Sequence, residues 1–297
     1  MKIAIQLITY FNSADLPELL DSLRRQTFLD WRLFVYENSC DQKEAGNIQA
    51  LLEAAGLSNH FFISDRNTGF TGGHQALFAM HDAPFVLLLN PDAKLEPDYL
   101  AQTMRRMESD AKIGSVTGLI FRPSDGDRMV DTAGLEYRCL GQIVDRFAGQ
   151  HKINLAASEV FGVSGAIGLY RREAIDAAGG LFDPTWFMYK EDADLAIRLK
   201  RAGFTAWFEP AAIAFHRRGL KEEGSGWLTR LRTERQRPSI LRRYSYANQW
   251  RIYRRFWSSI DWRDRFQTIK VEFLRSLMTF LVSPRVFFDA WRMILKG

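Results

Sequence analysis

Asp92 closes the segment Leu89-Asn90-Pro91-Asp92 directly after an apolar run. A carboxylate in that position suits a divalent cation resting on a diphosphate. Mg2+ typically takes one or two protein carboxylates and leaves its other positions to water and substrate phosphates. A simple Pro-Asp turn capped by Asp92 is the alternative for this residue alone. Glu191-Asp192-Ala193-Asp194 opens a helical pattern, where the helix dipole favours acids whether or not they do chemistry. The stretch Trp186-Phe187-Met188-Tyr189 comes just before it, and aromatics such as Trp186 and Tyr189 beside carboxylates form a surface for an acceptor sugar ring. Asp192 at a helix start facing a cleft would reach an acceptor hydroxyl as a general base. Glu37, at the end of a strand pattern, can accept hydrogen bonds from a ribose or a base edge. Asn67-Thr68-Gly69-Phe70-Thr71-Gly72-Gly73 is a glycine-rich loop running into a helix, the kind that brings backbone N–H groups close to phosphates. It is neither a Walker A loop nor GxGxxG. His216 follows an apolar strand; a lone histidine is more often structural, and only partners elsewhere make it a metal ligand.

These residues need elements to hold them. Lys2 to Tyr10, Trp31 to Glu37, Phe61 to Ser64 and Pro84 to Asn90 read as strands. Asp15 to Gln26, with Ser13 as N-cap and Pro17 in its first turn, reads as a helix; so do Lys43 to Ala55 and Gly72 to His81. The continuous run Phe85-Val86-Leu87-Leu88-Leu89 suits a strand buried on both faces. The alternation predicts an α/β fold with a doubly wound, mostly parallel sheet, whose ligands bind beyond the carboxyl ends of the strands. Those ends carry Thr9-Tyr10, Glu37-Asn38-Ser39, Asp65-Arg66-Asn67 and Asn90-Pro91-Asp92. From Lys112 to Gly168 the pattern is less regular, with a turn at Ser124-Asp125-Gly126-Asp127. Short helices follow at Glu173 to Ala178 and Asp192 to Ala202, then strands at Phe204 to Phe208 and Ala211 to Phe215.

The 297 residues are 46% hydrophobic and 25% charged, which excludes wholesale disorder and a multispan membrane protein. Cys40 and Cys139 lie far apart, so a disulfide framework is not expected and a reducing, cytoplasmic setting fits. Ile3 to Ile8 is too short for a signal peptide and reads as the first strand. The net charge of +5 hides an asymmetry: Leu228 to Gly297 holds 16 basic and 5 acidic residues, the remainder 24 and 30. An acidic body, residues 1–227, therefore carries a basic tail, residues 228–297, with the boundary near Gly224-Ser225-Gly226.

Taken in order, the motifs resemble a known family. The series is Thr9-Tyr10, Glu37-Asn38-Ser39, Asn67-x-Gly69-Phe70-x-Gly72-Gly73, Leu88-Leu89-Asn90-Pro91-Asp92, Ser164-Gly165-Ala166, Gly180-x-Phe182-Asp183, Glu191-Asp192-x-Asp194-Leu195-x-x-Arg198 and His216. It is similar to glycosyltransferase family 2, in the rhamnosyltransferase-like branch that carries NPD in place of DxD. The resemblance implies the GT-A fold and an inverting, metal-dependent transfer from a nucleotide-sugar, with dTDP-L-rhamnose suggested as donor and a UDP-sugar as the alternative. It implies a donor site formed by Thr9, Tyr10, Glu37, Arg66, Asn67, Gly69, Phe70, Gly73, Asn90 and Asp92. Asp92 and His216 would hold Mg2+ or Mn2+, Asp192 would be the base, and Glu191 would touch the acceptor. Glu37 stands where the family commonly has aspartate, and Arg217 where a second histidine is frequent.

The tail holds 13 of the 39 aromatic residues. Phe266, Ile269, Phe273, Leu277 and Phe280 fall at helical spacing, with Arg263, Arg265, Lys270 and Arg275 among them. The expectation is an amphipathic helix at the cytoplasmic membrane surface, near a lipid-linked glycan acceptor, with Trp250, Trp257, Phe273 and Phe280 entering the interface. A homo-oligomer interface or packing on the body are the rivals; nucleic acid is not an expected partner, since no binding module accompanies the charge. Cell-surface glycan synthesis is thus the leading function. A non-catalytic nucleotide-sugar-binding protein on the same fold is the alternative, and retention of Asp92, Asp192 and His216 speaks against it.

Overall fold

The computed structural model describes all residues except 58–59, 124–127, 139–141, 152–154, 184, 218–237 and 297. The turn at 124–127, Cys139 and the boundary at 224–228 therefore lie outside the described residues. The chain divides into two compact units: Met1–Glu136, Asp145–Pro184 and Glu191–Arg218 form the first, and Tyr137–Val144, Thr185–Lys190 and Gly219–Gly297 the second.

The first unit alternates β1 (Ile3–Thr9), α1 (Leu16–Arg24), β2 (Trp31–Glu37), α2 (Gln42–Ala55), β3 (Phe61–Ile63), α3 (Gly69–Phe78), β4 (Phe85–Leu89), β5 (Ala93–Leu95) and α4 (Tyr99–Glu108). There follow β6 (Ile113–Arg122), β7 (Met129–Thr132), β8 (Leu135–Arg138), β9 (Gln142–Asp145), β10 (Ser158–Val160), β11 (Ile167–Arg171), α5 (Arg172–Ala177), α6 (Glu191–Arg201) and β12 (Thr205–His216), of which β8 and β9 belong in part to the second unit. A ten-stranded sheet runs β10-β12-β6-β11-β4-β1-β2-β3, with β5 on β12 and β7 on β6, while β8 and β9 pair separately. The β4-β1-β2-β3 portion is parallel, and β11 enters antiparallel to both β4 and β6.

Period two along β1 explains the layering. Ile3, Ile5 and Leu7 join one core with Leu16, Leu19 and Leu23 of α1, Ile48 and Leu52 of α2 and Met104 of α4. Ala4 and Ile8 face the other way, onto Leu77 of α3. Val86 and Leu88 of β4 continue that second face, packing with Ile175, Leu195 and Leu199 from α5 and α6. Helices on both faces make the sheet doubly wound, and register brings Thr9 opposite Glu37 and Glu37 opposite Ile63 at one edge.

Three local expectations need correction. The N-cap of α1 is Asp15; Ser13 is instead held by Glu44, whose carboxylate accepts from the Ser13 N–H and hydroxyl at 2.8 Å each. α3 begins at Gly69, not Gly72, so the glycine loop is largely its first turns. The two expected strands after Gly203 are one, β12, whose register against β6 shifts between Glu209 and Ile213. That irregularity surrounds Pro210, which cannot donate to the ladder.

Behind β1, the Gln6 side-chain amide lies 3.0 Å from both His74 Nδ1 and His81 Nε2, and all three residues are buried. Burial pushes His74 down to about 3; burial and then the Arg172 charge push His81 down to about 4. Both rings are therefore neutral in the fold, whereas the unfolded chain protonates them below about 6.5. Lowered histidines give stability that is present above 6.5 and lost as pH falls. The unfolding free energy in urea should drop by about 1.5 kcal/mol for each between pH 6.5 and 5. A flat profile over that window would contradict the neutral assignment.

The second unit holds α7 (Ser239–Phe256), α8 (Trp262–Val282) and α9 (Pro284–Lys296). Tyr246, Ala247 and Ala290 form its small core, with Trp250, Phe287 and Trp291 packed on it. Trp250 thus faces Trp291, at 5.4 Å between ring centroids, rather than pointing outward as expected. The unit also clasps Thr185–Lys190: Asn248 Nδ2 donates to the Met188 and Tyr189 carbonyls at 2.8 and 2.9 Å, and Phe187 stacks on Tyr244. Tyr189 and Lys190 both take left-handed backbone angles, with φ of 69° and 67°. Non-glycine residues rarely hold that conformation, and two in succession persist only where surrounding bonds impose it.

Candidate active site

Asp92 sits one turn beyond β4 and is met there by His216, the last residue of β12. The two are brought together by the antiparallel pairing of β12 with β5, which sets His216 opposite Ala93. His216 Nε2 lies 3.2 Å from Asp92 Oδ1 and 3.2 Å from the Asn90 side-chain nitrogen. On the other side of the ring, Nδ1 is 2.9 Å from Asp131 Oδ2. Asp131 is 1% exposed and also accepts from Arg122 Nε at 3.1 Å. Burial alone would lower the His216 pKa, but Asp131 and Asp92 outweigh it and raise it to about 9. Burial likewise works to raise Asp92, and the His216 hydrogen bond reverses it, leaving the carboxyl below its ordinary value.

This donor set fits a divalent cation as an open site. Asp92 offers oxygen, and Asp131 would keep the proton on His216 Nδ1 so that Nε2 can face a metal, as carboxylate–histidine pairs do in metal sites. Among the described residues no group of three or more histidine, cysteine or acidic side chains forms a closed cage. The remaining positions would fall to substrate oxygens, the usual arrangement for Mg2+ on a diphosphate.

Asp192 lies at the start of α6. Its Oδ2 accepts from the Gly165 N–H at 3.2 Å and its Oδ1 from the Ala193 N–H at 2.7 Å, so backbone donors orient both oxygens. Gly165 lies against both Asp192 and Phe70: a Cβ there would be in ordinary contact, 3.5 Å from Asp192 Cβ and 3.7 Å from the Phe70 ring. The next residue, Ala166, accepts from the Asn90 N–H at 2.9 Å. The Ser164-Gly165-Ala166 loop therefore touches the Asp92 segment on one side and Asp192 on the other. Beneath α6, burial raises the Tyr170 hydroxyl well above its ordinary pKa, and the charges of Asp192 and Glu191 add to it. Glu191, half-buried, is the first residue of α6.

The rest of the ED-x-D-L-x-x-R motif is structural. Asp194 is 1% exposed and binds Arg198 at 2.9 Å. Arg198 in turn donates to the carbonyls of Ala178, Gly180 and Leu181, tying α6 to the turn after α5.

Across the sheet edge, Asn38 holds the glycine loop. Its Oδ1 accepts from the Thr68 N–H at 2.9 Å and its Nδ2 donates to the Gly69 carbonyl at 3.0 Å. Asn67 Oδ1 accepts from the Gly69 N–H at 2.9 Å, where φ is 72°. Gly73 has a packing reason: a Cβ would fall 2.9 Å from Ile8 Cδ1, so the glycine lets α3 lie close on β1. Arg66 and Asn67 are exposed at this edge and Phe70 is half-buried.

Thr9 and Glu37 are both fully buried. Glu37 accepts from Thr9 Oγ1 at 2.5 Å and from the Ser39 N–H at 2.6 Å, so it fastens the two strand ends and presents no open carboxylate to a base. That arrangement differs from the expected base contact. Tyr10 and Phe11 are instead exposed there, their rings edge to face at 5.0 Å, and Phe11 has a φ of 56°. In the second unit, Trp186 is buried under Arg255, which corrects the expectation of an exposed sugar platform; Tyr189 is half-buried.

Asp131 and Phe11 escape sequence reasoning, which places Asn38 at a strand end but does not show that it holds the glycine loop. An acid inside the apolar strand Met129-Val130-Asp131-Thr132 is the one available signal for Asp131, since such a residue needs a buried partner.

Comparison with known proteins adds to this geometry. A family model described as "Glycosyl transferase family 2" matches residues 5–179. The chain is 39% identical over 67 residues to the N-acetylglucosaminyl-diphospho-decaprenol L-rhamnosyltransferase of Mycobacterium tuberculosis, in strains CDC 1551 / Oshkosh and ATCC 25618 / H37Rv. That match spans 23% of this chain and 22% of the relative's length. Among solved structures, GalNAc-T7 with UDP, GalNAc and Mn2+ aligns over 87% of this chain and 49% of its own, at a TM-score of 0.64 and 11% identity. Mannosyltransferase PcManGT from Pyrobaculum calidifontis, in complex with GDP-Man and Mn2+, aligns over 99% of this chain and 87% of its own, at 0.55 and 12%. At such identities the likeness is one of fold.

Proposed function

Because this chain belongs to glycosyltransferase family 2 and has the GT-A fold, we propose that it moves L-rhamnose from dTDP-L-rhamnose, with inversion, onto a lipid-linked acceptor of cell-surface glycan synthesis. The observation that carries the reading is the Ser164-Gly165-Ala166 loop beyond the carboxyl end of β4, which is bonded to Asn90, two residues before Asp92, on one side and to Asp192 on the other. The short rhamnosyltransferase match favours rhamnose and an acceptor in which a sugar is joined through diphosphate to a lipid.

The donor would lie over the strand ends, its base near Tyr10 and Arg66 and its diphosphate near Asn90 and Asp92. Asn67, Gly69 and Phe70, fixed by Asn38, would border it, while Thr9, Glu37 and Gly73 hold the backbone beneath. Asp92 and His216 would hold Mg2+ or Mn2+, which when bound neutralises charge on the departing diphosphate. Asp192 takes the proton from the acceptor hydroxyl as that oxygen attacks the anomeric carbon. The bond from that carbon to the phosphate oxygen breaks on the opposite face, and its electron pair leaves with the nucleoside diphosphate. One displacement gives inversion without a covalent enzyme intermediate. Glu191 is placed beside the base to contact the acceptor, with Tyr189 close to it in the chain. Phe70 against Gly165 would help to exclude water.

The test is acceptor-dependent consumption of nucleotide-sugars in Mn2+ or Mg2+, with dTDP-L-rhamnose compared against UDP- and GDP-sugars. Rhamnose turnover well above the others is expected. Faster turnover of a UDP-sugar would reassign the donor within the same chemistry, and turnover of none would favour a non-catalytic binder.

A further inference from the structure

α8 is packed inside out. Its buried residues are Thr268 and Glu272, at 2% and 1% exposure, and polar bonds join that side of the helix and its C-cap, Ser283, to α7. Tyr253 Oη donates to Glu272 Oε1 at 2.9 Å, Tyr246 Oη meets Ser276 Oγ at 2.5 Å, and Arg242 Nη1 donates to Ser283 Oγ at 2.6 Å. The opposite face consists of Trp262, Phe266, Ile269, Phe273, Leu277 and Leu281, each between 44% and 70% exposed. Their steps of three and four residues put them on one side of the helix. Soluble helices bury such a stripe, and contiguous exposed apolar surface of this kind marks a docking site.

The charges around the stripe select the occupant. The exposed charged residues of α8 are Arg263 and Lys270, both basic, and Arg285 adds a third on α9. Glu272 is buried, and Arg292 and Asp289 offset each other as a pair at 3.0 Å. A second copy docking on the same face would set these cations against themselves, which disfavours self-association. Among the described residues no helix is long and apolar enough to cross a membrane. A helix with an outward apolar stripe and a basic margin suits the plane of an anionic lipid interface instead.

We propose that α8 is a membrane-docking helix, lying flat in an anionic bilayer surface with Trp262, Phe266, Ile269, Phe273, Leu277 and Leu281 inserted and Arg263 and Lys270 at the lipid phosphates. The polar bonds to α7 fix which way the helix faces, so the apolar stripe is displayed before any lipid is met.

The experiment is co-sedimentation of the full chain with vesicles of phosphatidylcholine alone or mixed with phosphatidylglycerol, at low and high salt. Neither donor nor acceptor is needed, so its outcome is separate from that of the proposed transfer reaction. The mixed vesicles should bind the protein, and salt should weaken binding several-fold without abolishing it, because apolar insertion is unscreened. Phe266→Ser and Phe273→Ser should each weaken binding about tenfold or more, with circular dichroism and melting temperature unchanged because both side chains are exposed. Lys270→Glu should weaken binding to the mixed vesicles only. Full-length protein that stays in solution with phosphatidylglycerol vesicles would overturn the proposal, as would a Phe273→Ser variant that binds them normally. Sedimentation velocity showing a dimer that Phe273→Ser dissociates, without vesicle binding, would assign the face to a second copy instead.

Discussion

Asp192→Asn should lower kcat by about 10²–10⁴-fold, the usual scale for a lost general base, while donor affinity changes little. The substitution is nearly isosteric. The amide oxygen of the introduced asparagine can still accept from Gly165 or Ala193, and the loss of a first-turn charge on α6 costs only about 0.3–1 kcal/mol. Folding should therefore survive, which isolates the chemical role. Selective loss of kcat with unchanged donor binding is the signature of a group acting in the transition state. Steady-state kinetics with titrated donor and acceptor will separate the two parameters. Near-normal turnover would move the base elsewhere, with Glu191 the next candidate.

The second large effect is expected at Asp92. Asp92→Ala should reduce activity by about 10²-fold or more and weaken donor binding in Mn2+, because it removes one of the two side chains proposed to hold the metal. His216 retains Asp131 on its other nitrogen, so the imidazole should stay in place. Asp131→Asn offers a graded companion: it leaves both proposed ligands but loosens the orientation of His216, and such outer partners typically cost 10–100-fold in metal affinity. Activity titrated against Mn2+ should shift to higher metal for Asp131→Asn and fall at all concentrations for Asp92→Ala. Wild-type activity that persists fully in EDTA would show that Asp92 and His216 serve another purpose.

The parallel strands were legible because each is an apolar run bounded by polar residues, and β2 matches its expected limits, Trp31 to Glu37. α3 was read late because glycines at 69, 72 and 73 look like a loop, whereas Gly69 starts the helix with a positive φ and Gly73 admits close packing on β1. β12 looked like two strands because Glu209-Pro210 interrupts the apolar pattern where the register shifts. Long-range pairing is harder to see. Nothing local shows that Asp131 will stand behind His216, since β7 reaches it only through pairing with β6. For the same reason Trp186 looked like an open platform, although its burial depends on a helix more than fifty residues further along the chain. Periodicity in α8 revealed an apolar face but not its direction, which the buried partners of Glu272 and Ser276 decide.

The central claim is a single displacement by an acceptor oxygen that Asp192 deprotonates. The most direct test is the anomeric configuration of the transferred sugar, read by nuclear magnetic resonance on the isolated product and compared with that of the donor. One displacement predicts inversion, so the sugar of the product should have the opposite anomeric configuration to that of the nucleotide-sugar. Retention of configuration would contradict the account, because it requires a second displacement or a different attacking geometry from the one Asp192 and the Ser164-Gly165-Ala166 loop support.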